Sequence, residues 1–519
     1  MEDKRLTRVV VIGAGIGGLS AALRLAAQGL DVHVIEMADH PGGKMRTAPS
    51  VAGPVDIGPT VLTMRPVFEA LFADVGERLS DHVTLHRDAL LARHWWRDGS
   101  TLDLFDEPER SAEAVGDFAG AKSAREFRAF SAEAKRLYEA FDAPVMQAGA
   151  PAFGQLAARV MKSPRLIPAM APGLSLARKL AMRFSDARLR QLFGRYATYV
   201  GGSPYQSPAV LGLIWHSEAQ GVWAVDGGLH GLAQAMMRVA QAKGVSFEFG
   251  TAVERIEAGE GGVREVRLGD GRALPCDLVV FNGDPKALRD GYLGEAVTGA
   301  IPRVGTEPRS YSAFVWGFAA EPSGVDLAHH NVFFCADPKV EFGDLSKGKM
   351  PRDATLYVCA QDHGTPGPQR FEIIMNGPPG HKTTQEERNT CRTRTFETLQ
   401  AMGLTFSPRP GTTALTTPLD FDRTFPASDG SLYGRSPHGM NATFQRPTAR
   451  TAIRGLYLAG GGAHPGAGIP MACLSGKHAA EAIRSDLALI STSQATATLG
   501  GMSTGSAIAA RAPSRSSAS

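Results

Sequence analysis

The feature that most constrains the fold is a glycine-rich turn between an apolar strand and an alanine-rich helix near the start of the chain. Residues 8–12 are apolar after the first and run directly into Gly13 to Gly18, which has the spacing G-x-G-x-x-G. In such a turn Gly13 permits the sharp bend, Gly15 lets a pyrophosphate approach the backbone, and Gly18 allows close packing of helix on strand. Free N–H groups at the helix N-terminus favour the anion. The pattern therefore predicts a dinucleotide-binding fold.

An acidic residue at the end of the second strand narrows the choice of dinucleotide. The first helix ends at Gly29, and the strand over residues 31–36 closes with Glu36. A carboxylate at this position accepts hydrogen bonds from ribose hydroxyls. It also repels a 2′-phosphate, so NADP is disfavoured at this site.

Two further glycine turns favour FAD over NAD. Gly42 to Arg46 follows Glu36 closely and carries two cations, and residues 58–60 form a third turn. The flavin half of FAD needs more places where the backbone comes close to the ligand, and more positive charge to offset the phosphates, than one glycine turn provides. Arg46 is the better phosphate partner because its planar guanidinium donates in pairs, with a solvated surface charge as the alternative. The FAD contacts predicted in this part of the chain are Gly13, Ala14, Gly15, Gly17, Gly18, Glu36, Gly42, Gly43, Lys44, Arg46, Gly58, Pro59 and Thr60.

Nucleotide-fold patterns recur in three separated parts of the chain. At 519 residues the chain is too long for one ordinary core. We therefore predict an α/β fold in which a Rossmann-like FAD-binding domain is assembled from discontinuous segments, with an inserted α+β substrate domain. Residues 66–150 have a mostly helical pattern, and the last helix is predicted from Ser475 to Leu487. The predicted boundaries are 1–90, 226–300 and 415–490 for the FAD-binding domain, 91–225 for a helical substrate- and membrane-facing region, 301–414 for a substrate-domain sheet, and 491–519 for a disordered tail.

Charge and cysteine usage exclude several other classes of protein. A net charge of +3, with no basic arm, gives no support for nucleic-acid binding. Five scattered cysteines and no C-x-x-C pair indicate neither a disulfide framework nor a metal site, and they fit a reducing cytoplasm. The first apolar stretch runs into the glycine turn instead of a cleavage site, so no signal peptide is expected, and no apolar run is long enough to span a bilayer. Any attachment to a membrane is therefore expected to be peripheral.

Two motifs resemble those of a known family. Gly13 to Arg46 resembles the FAD signature of the amine-oxidase-like flavoproteins, and Leu456 to Pro470 resembles the signature of bacterial phytoene-desaturase-type carotenoid dehydrogenases. The continuation Met471 to Gly476 is more similar to the branch that desaturates 1-hydroxylated or methoxylated acyclic carotenoids at C3–C4, the hydroxyneurosporene desaturases. The resemblance covers residues 8–487. It implies one FAD, an acyclic carotenoid substrate, hydride transfer to the flavin, and oxygen or a quinone as electron acceptor.

The resemblance and the glycine pattern also suggest contacts in the later segments. By resemblance, Val253 contacts adenine through its backbone, and Asn282 ends a buried strand nearby. The glycines after the final strand are placed to present backbone N–H groups to the pyrophosphate or ribityl chain. The helix that follows is placed to stabilise negative charge on reduced flavin. The predicted contacts at this end of the chain are Gly460, Gly461, Gly468, Ile469 and Pro470.

A basic and apolar segment suggests a membrane-facing surface. Residues 151–185 contain six cations and no acidic residue, interleaved with apolar residues and prolines. An apolar face with a cationic rim suits anionic headgroups, with about 1 kcal/mol for each nearby cation. We expect peripheral association with the inner or intracytoplasmic membrane; a helical cap with a solvated basic face is the alternative. The six cations are Arg159, Lys162, Arg165, Arg178, Lys179 and Arg183.

No motif for hydrolysis or metal catalysis is present, and no catalytic residue is assigned. Polar candidates near the substrate are Tyr199, Tyr205, His216 and Glu218, each with a structural role as the alternative. One of them is expected to bind a tertiary hydroxyl of the substrate. The open alternatives are a phytoene or neurosporene desaturase of the same family, a flavin amine oxidase, a carotenoid isomerase without net redox turnover, and a flavin-fold binding protein. The oligomeric state is not indicated by the sequence.

Overall fold

The computed structural model describes residues 6–301, 307–439 and 441–499, without the side chains of 443 and 491–499. Five parallel strands form one sheet, and they come from the three separated segments predicted to build the nucleotide-binding fold. Val11 in the central strand pairs with Val34 on one side and Val280 on the other. The strand order is Leu456–Leu458, Leu278–Phe281, Arg8–Ile12, Asp31–Ile35 and Ser246–Glu248. Both faces of such a sheet are covered, so its strands are nearly continuous apolar runs. The discontinuous α/β assembly is confirmed.

Three helices cover this sheet and set the shape of the nucleotide site. Helix Ile16–Ala27 packs against both Leu229–Ala242 and the final helix, Ile469–Leu499. The first and last helices touch closely, because a Cβ on Gly476 would lie 2.3 Å from the carbonyl oxygen of Gly17. The final helix begins at Ile469, earlier than the predicted Ser475. It also runs past Ser491 to Leu499, while the rest of the predicted tail lies outside the described residues.

The inserted domain contains a mixed sheet over which the cavity lies. Its strands, in order, are Thr405–Ser407, Ser312–Ser323, Gln369–Gly377, Leu356–Ala360, His330–Phe333, Leu90–Trp95 and Thr101–Phe105, with Leu415–Thr416 also paired to Ser312–Ser323. All neighbours are antiparallel except His330–Phe333 and Leu90–Trp95, which are parallel. The prediction that residues 66–150 are mostly helical is wrong for three strands between 85 and 105. Leu85–Arg87 and Leu90–Trp95 pair with strands far along the chain, while Thr101–Phe105 forms a hairpin with Leu90–Trp95. Strand pairing overrides any local helical preference of these residues.

A layer of helices packs on this sheet. The long helix Pro108–Phe141 is interrupted at Gly120, whose φ of +86° lies outside the helical region. Phe127 and Phe130 from this helix meet Phe193 and Trp215 in an aromatic core. The other helices of the chain are Arg65–Asp74, Phe153–Lys162, Leu166–Met170, Leu176–Arg183, Ala187–Gly194, Ile214–Ala219, Pro285–Arg289, Pro338–Ser346, Gln385–Ala401 and Pro418–Thr424.

Smaller elements connect these layers. The remaining strands are Thr47–Ala48 with Val55–Asp56, Leu85–Arg87 with Trp223–Val225, and the hairpin set Val253–Gly259, Gly262–Leu268 and Ala273–Pro275. One π-helical turn spans Asp142–Met146, and 3-10 turns span Leu79–Asp81, Arg195–Val200, Ala209–Leu213, Glu295–Ala300, Thr412–Ala414 and Ala442–Phe444. Among the described residues, no helix has the length and apolar character needed to cross a membrane.

Candidate functional site

The three predicted glycine turns stack against one another to form one continuous wall. Gly13 adopts a φ of +98°, and its carbonyl oxygen would be 2.1 Å from a Cβ on Gly18. A Cβ on Gly43 would lie 3.2 Å from the Cα of Gly15, and one on Gly58 would lie 2.0 Å from the carbonyl oxygen of Lys44. Backbone can approach backbone here only because side chains are absent.

Glu36 lies beside the first turn with its carboxylate engaged by backbone donors. The N–H of Ala14 donates to Oε2 at 2.6 Å, and the N–H of Ala38 donates to Oε1 at 2.9 Å. A carboxylate offers about four acceptor positions, so capacity for ribose hydroxyls remains. The carbonyl oxygen of Glu36 also accepts from the N–H of Thr251, which brings the segment leading to Val253 alongside.

Asn282 joins the first turn to the C-terminal glycines. Its Nδ2 donates to the carbonyl oxygen of Gly13 at 3.1 Å. A Cβ on Gly17 would lie 2.6 Å from the Oδ1 of Asn282 and 2.5 Å from the amide nitrogen of Gly460. The N–H of Gly460 itself donates to the Ser475 hydroxyl at 2.7 Å, because the final helix starts beside this loop. Gly460 therefore shapes the site, but its amide N–H already donates to Ser475 and is not available to a ligand.

Two cations of the second turn point into a largely buried region. Lys44 donates to the carbonyl oxygen of Leu432, and burial lowers the pKa of Lys44 to about 8, with Asp284 opposing that shift. Nε and Nη2 of Arg46 are buried and have no hydrogen-bond partner within the described part of the chain. Burial lowers the Arg46 pKa, partly offset by Asp420 and Glu372. Buried donors without partners are what a phosphate or flavin edge would satisfy, so the residues present fit a bound FAD.

Two further arginines, Arg446 and Arg309, lie beside the C-terminal glycine loop and were not predicted from the sequence. Arg446 donates through Nη1 to the carbonyl oxygen of Gly461 at 2.8 Å, and burial lowers its pKa to about 10. Arg309 pairs with Asp284 close to the same loop. No local motif marks these residues, since they reach the loop from three separate segments.

A cavity of about 900 Å³ extends from the turns into the inserted domain. The predicted contacts Gly58, Pro59 and Thr60 line one part of it, together with Gly468, Ile469 and Pro470. The opposite wall is formed by helices Leu176–Arg183 and Ala187–Gly194. The cavity thus connects the two predicted flavin-contacting segments to the aromatic and helical region.

The polar candidates are separated by the structure into different roles. Tyr199 and Tyr205 line the cavity. Glu218 is buried behind that wall and accepts from Tyr196 at 2.7 Å and from Tyr199 at 2.5 Å. His216 is not among the cavity-lining residues; it bonds to Gln220 on the same helix, four residues away.

Arg195 is a cavity residue that the sequence analysis missed. It donates through Nη1 to the Tyr199 hydroxyl at 3.1 Å, and its Nη2 lies 3.9 Å from Glu218. Its Nε is buried and has no hydrogen-bond partner among the described residues. Burial raises the pKa of Tyr199 above its ordinary value, so the phenol keeps its proton and directs it to Glu218.

Thr60 and Tyr357 connect the cavity wall to the sheet beneath it. The two hydroxyls are 2.8 Å apart, and Thr60 also donates to Glu372 at 3.4 Å. Burial raises the pKa of Tyr357 and of Glu372 well above their ordinary values. Tyr199, Tyr357 and Thr60 all line the same cavity.

The basic segment 151–185 presents apolar side chains outward, but only some of its cations. Four large hydrophobic side chains are exposed, with Met161 at 76% and Met182 at 72%, and the others are Phe153 and Ile167. Lys179 instead points inward, 2.6 Å from the buried Glu133. The prediction of a rim of six exposed cations is therefore wrong for Lys179. Arg159 and Arg183 are half-buried and bound to the long helix Pro108–Phe141. The exposed cations of the segment are Lys162, Arg165 and Arg178.

Comparison with known proteins gives the same assignment as the motifs. Residues 16–484 match the flavin-containing amine oxidoreductases, and this flavin is FAD. The hydroxyneurosporene desaturase of Cereibacter sphaeroides is 56% identical, over 93% of this chain and 98% of the relative. That of Rubrivivax gelatinosus is 42% identical, over 98% of each. An oxidoreductase structure from Methanosarcina mazei shares the fold at a TM-score of 0.59 and 17% identity, over 91% of this chain and 100% of that one.

The later motifs, Gly42 to Arg46 and Leu456 to Pro470, and the near full-length similarity to these relatives therefore indicate the same flavoprotein family as the first glycine turn. The chain belongs to the flavin-containing amine oxidoreductases and, within them, to the carotenoid desaturase branch that contains the hydroxyneurosporene desaturases.

Proposed function

We propose that the protein is an FAD-dependent desaturase that introduces the C3–C4 double bond into 1-hydroxylated or methoxylated acyclic carotenoids. The observation that carries this proposal is the cavity, which joins the turns at Gly58 and Gly468 to an extended, partly apolar space beneath surface helices. Such a space suits a long apolar molecule with one polar end. The similarity to hydroxyneurosporene desaturases at 42–56% identity supports the same reaction class.

In this proposal the dinucleotide lies along the wall of stacked glycine turns. Glu36 binds the adenosine ribose, with the backbone near Val253 at the adenine, and the N-terminus of helix Ile16–Ala27 faces the pyrophosphate. Lys44 and Arg46 offset its charge. Residues 58–60 and 468–470 contact the flavin half, because both segments line the cavity. When bound, FAD supplies the acceptor for a hydride that leaves the substrate.

The protein's own side chains position the substrate and keep water out. Burial raises the pKa values of Tyr199 and Tyr357 far above neutral, so both phenols keep their protons and act by hydrogen bonding rather than as bases. The proton that the substrate loses with the hydride is not assigned to either of them. The contribution of the chain is orientation of the saturated carbons in a dry cavity.

Arg195 and Tyr199 are the proposed partners of the oxygen on C1. The Tyr199 proton is directed to Glu218, so its remaining lone pair can accept from a substrate hydroxyl. The free Nε of Arg195 can donate to the oxygen of either a hydroxyl or a methoxy group. C1 is only two bonds from C3, so this anchor has to lie near the flavin. Tyr199 lines the same cavity as the Thr60–Tyr357 pair, which agrees with that requirement.

Product analysis tests the function directly. Cells that make phytoene, neurosporene or 1-hydroxyneurosporene are supplied with the protein, and their pigments are separated by HPLC. We expect the 3,4-desaturated product from the hydroxylated carotenoid and no conversion of phytoene. Arg195→Gln and Tyr199→Phe should raise KM for the hydroxylated substrate, whereas Tyr292→Phe, at an exposed tyrosine, is the matched control. Conversion of phytoene but not of the hydroxylated carotenoid would favour the phytoene desaturase alternative instead.

The redox step is measured on the purified holoenzyme. Anaerobic addition of 1-hydroxyneurosporene should bleach the flavin absorbance, and oxygen or a quinone should restore it. Comparison of the two rates identifies the electron acceptor. Product formation with no bleaching and no need for an acceptor would instead indicate an isomerase.

We also propose that the surface made by Phe153, Met161, Ile167 and Met182 docks on a membrane. Helix Leu176–Arg183 has two adjacent faces, because Ala177 and Ala181 line the cavity while Met182 is exposed. The cavity wall is therefore continuous with the docking surface. A carotenoid could pass from bilayer to cavity without crossing water, which would be costly for such an apolar molecule.

Vesicle binding tests the docking. Flotation with anionic vesicles should show binding that weakens as salt rises. Replacing the exposed cations by glutamine (Lys162, Arg165, Arg178) should reduce binding by roughly 100-fold, at about 1 kcal/mol for each cation. The matched control replaces three exposed lysines elsewhere (Lys347, Lys349, Lys382). Equal loss in both variants would refute a specific docking surface.

A further inference from the structure

Four side chains with metal-ligating atoms converge at one end of two neighbouring inner strands of the mixed sheet, behind the cavity wall. His330 begins one strand and pairs in the ladder with Cys359 of the next, and His329 precedes it. The ligand atoms of His329, His330 and Cys359 all lie within 4.8 Å of one another. Asp88 comes from the loop before Leu90–Trp95, with Oδ2 at 3.1 Å from Nδ1 of His329 and 3.5 Å from Nε2 of His330.

One buried atom of this group lacks the partner that burial demands. The side chain of His330 is 2% exposed, and its Nδ1 is bonded to the Tyr357 hydroxyl at 2.7 Å. Its Nε2 makes no hydrogen bond within the described part of the chain. A buried ring nitrogen without a partner costs free energy, and it faces a carboxylate, a second imidazole and a sulfur. A cation held between these atoms would satisfy all of them.

We propose that Asp88, His329, His330 and Cys359 form a four-coordinate site for a divalent transition-metal ion, with Zn²⁺ the best match. Sulfur and imidazole ligands favour zinc over magnesium or calcium, which prefer oxygen alone. Tetrahedral zinc holds such ligands about 3.3–3.6 Å apart, so the ligand atoms of His329, His330 and Cys359 close by no more than about 1.5 Å when they bind the ion. Asp88, which already lies against the two histidines, moves toward the sulfur to supply the fourth ligand. Four protein ligands leave no open position, which is the arrangement of a structural site.

The surroundings of the group agree with that role. Metal-bound histidines usually donate their second nitrogen to a neighbouring oxygen, and Nδ1 of His330 already faces the Tyr357 hydroxyl. Cys359 would bind the ion as a thiolate, and its sulfur lies within 4.8 Å of the ligand nitrogens of both histidines. Neither the scattered cysteines nor their spacing predicts this site, since the ligands meet only through strand pairing.

The proposed ion would brace the cavity wall from behind. Tyr357 bonds both to His330 and to Thr60, which is a predicted flavin contact. The ion would also hold the loop that carries Asp88 against the ends of strands His330–Phe333 and Leu356–Ala360. The site is independent of the reaction proposed above, because its ligands do not line the cavity.

Metal content and cobalt spectroscopy test the proposal on full-length, FAD-loaded protein without a histidine tag. After incubation with Zn²⁺ and desalting, elemental analysis should give about one zinc per chain, as expected for one closed site. Replacement by Co²⁺ should produce intense visible bands of a tetrahedral ion, together with a thiolate-to-cobalt charge-transfer band. Cys359→Ser should abolish the charge-transfer band and weaken binding at least tenfold. Cys391→Ser, at a buried cysteine on helix Gln385–Ala401, is the matched control and should leave both unchanged.

Two results would overturn the site. One is wild-type protein that, after incubation with excess Zn²⁺ or Co²⁺, retains no metal and shows no thiolate band. The other is a folded Cys359→Ser variant that binds cobalt with the wild-type spectrum. If Cys359→Ser does not fold, His329→Gln, at a partly exposed position, serves instead. It should alter the cobalt bands while flavin content stays constant, and an unchanged spectrum would equally reject the proposal.

Discussion

Substitution of Glu36 by glutamine should weaken FAD binding roughly 10- to 150-fold. The side chain is 8% exposed and accepts from the N–H groups of Ala14 and Ala38 at 2.6 and 2.9 Å. A hydrogen bond to a charged group contributes about 1.5–3 kcal/mol, and one tenfold change in affinity corresponds to about 1.4 kcal/mol. Loss of the charge-assisted bond to the ribose therefore gives the predicted range.

The Glu36→Gln variant should also have a lower free energy of unfolding than the wild type, even without FAD. Glutamine offers one carbonyl oxygen, so its amide group faces one of the two backbone donors and leaves it unpaired. That costs about 1–3 kcal/mol of the free energy of unfolding. Bound cofactor adds to stability by mass action, so the difference between variant and wild type should grow when FAD is present.

Titration of apoprotein with FAD, followed by flavin fluorescence, measures the affinity, and urea unfolding measures the stability. Glu260→Gln, at an exposed position in a hairpin turn, makes the same charge change away from the site. An affinity of Glu36→Gln within twofold of wild type would refute the placement of the ribose at this carboxylate. Equal weakening in Glu260→Gln would point to net charge as the cause.

Two further changes test the site. Burial lowers the pKa of Lys44 to about 8 in the empty protein, and a bound pyrophosphate favours the charged form. The contribution of Lys44 to FAD binding is therefore fully present below pH 8, and the affinity declines by up to about tenfold per pH unit above it. In a fluorescence titration, Lys44→Met should flatten this pH profile. A parallel decline of affinity in both proteins would contradict the assignment. Gly17→Ala places a Cβ 2.5 Å from the amide nitrogen of Gly460 and should cost about 1–3 kcal/mol of stability and most of the bound flavin. Gly154→Ala is the control, since its Cβ meets nothing within 4 Å, and full flavin content in Gly17→Ala would show that the loop tolerates a methyl group.

The cofactor site could be predicted from the sequence because its decisive interactions are local. Strand, glycine turn, helix and Glu36 lie within thirty residues, and glycine spacing directly reflects where backbone must approach backbone. The structure confirms that these turns stack, as shown by the contact between Gly43 and Gly15. The C-terminal motif similarly indicated the family, because a strand, a glycine loop and a helix follow one another without interruption.

The inserted domain could be predicted only in part. Strand Leu90–Trp95 has a composition that permits helix, and it is a strand because it pairs with Thr101–Phe105 on one side and with the distant His330–Phe333 on the other. Similarly, nothing in the spacing of the six cations distinguishes Lys179, which turns inward to Glu133, from its exposed neighbours. The direction of a side chain depends on the partner packed against its helix, and that partner lies elsewhere in the sequence.

The sequence by itself determined the cofactor, the family and the three-segment assembly, since these depend on contiguous motifs and on backbone geometry that glycine makes visible. Only the tertiary structure decided which polar groups share the cavity. It placed Arg195 beside Tyr199, excluded His216, and brought Cys359 to His329 and His330. The physical reason is that these groups act through side-chain atoms a few ångströms apart, while their positions along the chain are set by sheet register and helix packing.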